Sequence, residues 1–164
     1  MRRSVLSVVT VLFVVLFLGN IAFGVVEKVR ITKMEILKID GVPQVRLELE
    51  VEGQDGVIFV QASTDYDKYT YFTEPVTLDL SVRQPFFVLR FTKSDFRRVH
   101  LLENINEEIP EFAEGKKVTV YVYEAKYTSP EGQPEDIKQD IAKYGYALRG
   151  VLAKGTKTIE LARK

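Results

Sequence analysis

The chain contains no cysteine and no tryptophan, a single histidine and two methionines among 164 residues. Without cysteine it has no disulfide staple, no thiolate nucleophile, no redox pair and no attachment point for a lipid of the bacterial lipoprotein type. With His100 as the only imidazole and no thiolate to join it, a histidine-based zinc site is excluded by number. No serine sits in a glycine-rich elbow and no phosphate-cradling glycine loop occurs, so the familiar nucleophilic and nucleotide motifs are missing. An excess of either charge is missing too. Lys plus Arg and Asp plus Glu each number 23, a formal net charge of zero, so no net field draws in nucleic acid. Scarce thermolabile side chains beside a 28% charged content match the profile of thermophilic proteins.

Long apolar runs are absent everywhere but the start. Residues 1–24 carry Arg2, Arg3 and no acidic residue, then run apolar over 5–18 with only Ser7 and Thr10 interrupting. Ala22-Phe23-Gly24 sets small residues at the two positions a signal peptidase reads, which predicts cleavage before Val25. Left uncleaved, the segment approaches the roughly 20 apolar residues that span a bilayer and becomes an anchor, the one membrane contact expected. In either case Arg2 and Arg3 hold the start on the cytoplasmic side. Residues 25–164, one domain in size, are then periplasmic, on the cell surface or extracellular.

The body alternates with period two. Residues 29–39 predict a first strand with a bulge near Lys33 and Met34, and Asp40-Gly41 a tight turn. Val45, Leu47, Leu49 and Val51 then alternate with Arg46, Glu48, Glu50 and Glu52, which puts aliphatic side chains on one face and charges on the other. Further strands are predicted over 57–62, 69–72, 76–83 and 86–91, the last apolar on both sides and therefore central. Residues 94–102 fit a short helix or a strand. The acidic run from Glu103 to Glu114 reads as an exposed crossing loop, and 118–127 as a strand with two useful faces. Pro134, Glu135 and Asp136 start a surface helix with Ile137, Ile141 and Tyr144 on one stripe, and a final hairpin turns around residues 154–157.

Many short strands with turns between them and little helix predict an all-β fold, a two-layer antiparallel β-sandwich of immunoglobulin-like architecture with one or two short surface helices. The analogy is one of layers only, because the cysteines and tryptophan of an antibody core are missing. A membrane barrel is disfavoured, because 57–60 and 86–89 lack the strict alternation of a lipid-facing strand.

Chemistry-bearing residues cluster once, in Asp65, Tyr66, Asp67, Tyr69, Tyr71 and Glu74. Aromatic rings beside carboxylates can stack on a sugar or grip a peptide, and Asp65 and Asp67 offer two oxygens to calcium without the rest of an EF-hand series. The competing interpretation has the tyrosines cover the end of the core and the aspartates make turns. A second aromatic row, Tyr121, Tyr123 and Tyr127, is expected beneath the helix. The expectation is a non-catalytic secreted or envelope module that is structural or binds another protein. The alternatives are a small carbohydrate- or ligand-binding domain using the 65–74 loop and, last, a hydrolase. No cofactor, metal or nucleic acid is expected; an envelope protein or a polysaccharide is the expected partner.

Overall fold

The computed structural model describes residues 26–40, 42–53, 56–81 and 86–160. The proposed leader over 1–24, the glycine of the Asp40-Gly41 turn and the last predicted residues, 161–162, lie outside the described residues. Two antiparallel sheets pack face to face. One has three strands, β1 (Val26–Ile39), β2 (Val42–Gly53) and β6 (Phe86–Thr92), in the order β1-β2-β6. The other has seven: β3 (Val57–Tyr66), β4 (Tyr69–Phe72), β5 (Val76–Asp79), β7 (Arg97–His100), β8 (Ile105–Glu108), β9 (Lys117–Tyr127) and β10 (Ala147–Thr158). Its order is β10-β9-β3-β4-β7-β8, with β5 also paired to β3. One helix, α1 (Glu135–Tyr144), is described; no helix among the described residues is long and apolar enough to cross a membrane.

The alternation of β2 sets the layers. Val45, Leu47 and Leu49 are fully buried and meet Ile58, Val60, Ala62, Val118, Val120 and Val122 from the facing sheet. The charges between them, Arg46, Glu48 and Glu50, stay outside and form a lattice with Arg30, Lys33 and Glu35. At the predicted slip in β1 the register jumps between Ile31 and Lys33. The extra residue, Thr32, donates its hydroxyl to the Glu48 carbonyl at 3.1 Å, and the bulge lets Ile31 and Met34 both point inward. The sheets come closest where β1 meets β10. A Cβ at Gly155 would lie 2.9 Å from Ile31 Cδ1 and 3.6 Å from Met34 Sδ, so this glycine is where the layers nearly touch.

Four expectations are corrected. The strand over 86–91 is not central: among the described residues β6 pairs only with β2, and its side chains alternate, Phe87, Leu89 and Phe91 inward and Phe86, Val88 and Arg90 outward. The strand expected over 76–83 ends at Asp79, with Leu80 and Ser81 in a turn and residues 82–83 outside the described residues. The acidic run is not all loop, because β8 lies within it, and Ile109 and Phe112 beyond it plug the core, Phe112 edge-on to Phe96 with ring centroids 5.2 Å apart. The final hairpin is one long strand, since residues 154–157 continue β10 opposite Tyr121 to Val118 rather than turning. Residues 94–102 resolve as a 3₁₀ turn, Lys93–Asp95, then β7 and a second 3₁₀ turn, Leu101–Glu103. The larger sheet is continuous across β4 and β7 through one residue pair, Phe72 with Arg97.

Candidate functional site

The 65–74 stretch is the β3–β4 hairpin with its exit. Tyr66 pairs with Tyr69, and Thr64 with Tyr71, across a two-residue turn in which Asp67 adopts φ 52°. Paired residues share a face, so Tyr66, Tyr69 and Tyr71 all lie on the side turned to the other sheet. Tyr71 is buried in the core, Tyr66 packs against it, and Tyr69 lies at the rim under the Arg98 guanidinium, 3.8 Å from the ring centre. Asp65 is on the opposite face, where its carboxylate accepts from the Thr70 hydroxyl at 2.6 Å. The structure thus brings the three tyrosines to one end of the core, with Asp65 behind them and Asp67 at the hairpin tip. Only Glu74 leaves this group: it opens onto a groove on the outer face of the larger sheet.

His100 ends β7 half-buried, and its Nδ1 accepts from the Glu103 amide at 3.2 Å. It caps the second 3₁₀ turn. No cluster of three or more potential metal-ligating side chains occurs among the described residues.

The groove, about 160 Å³, lies between α1 and the strands β3, β4 and β7. Gln61, which stands in β3 between Val60 and Ala62 and is 6% exposed, lines it together with the still more buried Thr73. Thr73 holds the Gln61 side chain. Past the end of β4, Thr73 stays tied to β3, its amide donating to the Ala62 carbonyl at 2.9 Å and its hydroxyl accepting from the Ala62 amide at 3.0 Å. The Thr73 carbonyl then accepts from Gln61 Nε2 at 2.9 Å. The same Nε2 donates to the Tyr146 hydroxyl at 2.7 Å. Burial, followed by the nearby Glu74 charge, pushes the Tyr146 phenol up to about 12.

Helix and sheet meet through both packing and charge. Ile137 and Ile141 bury against Ala147 and Tyr127, so α1 covers one end of the second aromatic row. Tyr121 and Tyr123 stack on each other instead, 5.9 Å apart, and burial raises the Tyr123 phenol. Arg149 reaches from β10 to two carboxylates one helical turn apart, Asp136 at 3.0 Å and Asp140 at 2.9 Å, and its hydrogen bond holds Asp136 below the usual carboxylate range. Gly145, at φ 87°, ends the helix with its amide on the Ile141 carbonyl at 2.8 Å and turns the chain so that Tyr146 returns to the sheet.

Of the groove residues, sequence reasoning singled out only Glu74 as a candidate. Gln61 offered a signal that went unused: an amide in the middle of an apolar strand needs partners it must find elsewhere in the fold. No protein-family model matches the chain, and no curated protein matches it.

Proposed function

We propose that the protein is an exported, non-catalytic module of the cell envelope or its surroundings that works by accepting an extended segment of another protein along β6. Export rests on the charged, apolar and small-residue succession of residues 1–24. The observation that carries the interaction is the outward row of β6, where Phe86 is 58% and Val88 53% exposed on a strand paired on one side only among the described residues. Among the described residues two four-residue strands are also paired on one side only: β5, which ends in Asp79, and β8, which carries Glu107 and Glu108, the kind of charge that blunts an edge. β6 has seven residues and no charge before Arg90. An added strand would find backbone donors and acceptors along the edge and two apolar side chains for specificity. The immunoglobulin-like comparison belongs to this reading as well, since such sandwiches commonly serve as adhesive or scaffolding modules.

The test is site-specific photo-crosslinking of the full-length protein in its producing cells, with the photoreactive residue at Val88 and a control at exposed Thr77. A discrete adduct with one envelope protein from position 88 and none from position 77 is expected. An adduct at twice the chain's own mass, or the same pattern from both positions, would overturn the reading. N-terminal sequencing of the same material should begin at Val25; a cytoplasmic protein beginning at Met1 defeats the export half.

A further inference from the structure

We propose that the groove between α1 and the outer face of the larger sheet binds a neutral saccharide residue, read by Gln61 and Tyr146. The site is built from the sheet outward. The Thr73 carbonyl can only accept, so it fixes the Gln61 amide with Nε2 toward Thr73 and Oε1 away from it. Both Nε2 hydrogens are engaged, one by Thr73 and one by Tyr146. Oε1 has no donor among the described residues. It is not sealed either, because Arg46 Nε is the only fully enclosed side-chain polar atom left without a partner there. Tyr146 accepts from Gln61, and no acceptor among the described residues takes its own proton. A held acceptor and a held donor therefore stand side by side at the groove, on a buried Gln61 and a half-buried Tyr146, each with a hydrogen-bonding position left for a ligand.

A hydroxyl answers both at once, giving its proton to Gln61 Oε1 and accepting from Tyr146. The Phe72 ring, 37% exposed, adds an apolar wall of the kind that stacks on the C–H face of a sugar. Glu74 contributes an acceptor and Arg97 donors at the rim. Charge selects the ligand's class. Asp140 pairs with Arg149 at 2.9 Å, and the other two charged side chains lining the groove, Glu74 and Arg97, are of opposite sign, so neither a phosphate nor a basic peptide meets a net opposing field. Size agrees, since about 160 Å³ is below the roughly 300 to 1,000 Å³ of drug-sized sites and suits one ring. The groove lies on a different sheet from β6, so this inference stands or falls independently of the strand-docking proposal.

Isothermal titration of the full-length protein with D-glucose, D-galactose, D-mannose and N-acetyl-D-glucosamine tests it, with inorganic phosphate and lysine amide as charged probes. At least one neutral sugar is expected to bind. Tyr146→Phe, which keeps the ring and deletes the donor, should weaken that sugar about tenfold or more while the protein stays folded. Arg97→Gln and Glu74→Gln, at the accessible rim, should each weaken it less. Binding by phosphate or lysine amide with no response to any sugar, no heat from any probe, or a sugar held equally well by Tyr146→Phe, would overturn the proposal.

Discussion

Replacing Tyr146 by Phe should change how stability depends on alkaline pH, in a direction fixed by the proton balance of folding. In the folded protein the phenol titrates near 12, against 10.0 when free. Between those values the unfolded chain has lost the proton and the folded one keeps it, so wild-type stability falls as pH rises through the window. Two pH units at about 1.36 kcal/mol each give an upper bound of about 2.7 kcal/mol. Tyr146 is only partly buried, and solvent screening brings the expected loss to about 1 to 2 kcal/mol. At neutral pH the variant loses one hydrogen bond, from Gln61 at 2.7 Å, which costs about 0.5 to 1.5 kcal/mol. Urea unfolding followed by far-ultraviolet circular dichroism should show wild type ahead by about 1 kcal/mol near neutrality. That lead should shrink to zero or reverse by about pH 12, the upper end of the window. A lead that stays constant from neutral pH to pH 12, or grows, would refute the buried-phenol account.

Leu47→Ala, at the centre of β2 and fully buried, should cost about 3 to 5 kcal/mol in urea unfolding, and a loss under about 1 kcal/mol would remove it from the core. Gly150→Ala should destabilise by about 1 to 3 kcal/mol, because φ is +69° and the new Cβ would sit 2.9 Å from Glu124 Cβ; an unchanged unfolding midpoint would contradict that backbone. Arg149→Gln should leave the global midpoint nearly unchanged yet speed amide exchange across Glu135–Tyr144, since its two ion pairs tie α1 to the sheet at the surface. High salt should reproduce that local effect in the wild type, and slow exchange in both would show that the apolar contacts of Ile137 and Ile141 suffice.

The layers were legible where one strand face meets water and the other does not. β2 declares itself through Val45, Leu47 and Leu49, and the bulge in β1 through the slip beside Lys33. α1 declares itself through Ile137 and Ile141, both buried as the stripe requires. β6 was misread because its exposed positions, Phe86 and Val88, are as apolar as its buried ones, and periodicity cannot reveal a missing neighbour. Gly155 looked like a turn residue, but its reason is tertiary: Ile31 from the other sheet occupies the space a side chain would need. Ile109 and Phe112 sat among glutamates that masked them, though two large apolar residues in so acidic a run were a usable sign of burial. The groove was illegible for a different reason. Gln61, Phe72, Arg97 and Tyr146 are scattered over 85 positions and are brought together only by strand order.

The lone Phe72–Arg97 pair gives the larger sheet a mechanical weak seam. On one side of it stand β4 and Thr73, fastened to β3; on the other stand β7 and β8, held mainly by Phe96, Ile109 and Phe112 sinking into the interior. Phe72 and Glu74 belong to the first side of the groove, Arg97 and Val99 to the second, so any occupant straddles the seam like a splint across a joint. Filling the groove should therefore slow the breathing of the 97–108 segment, so that amide exchange there would report whether the site is occupied.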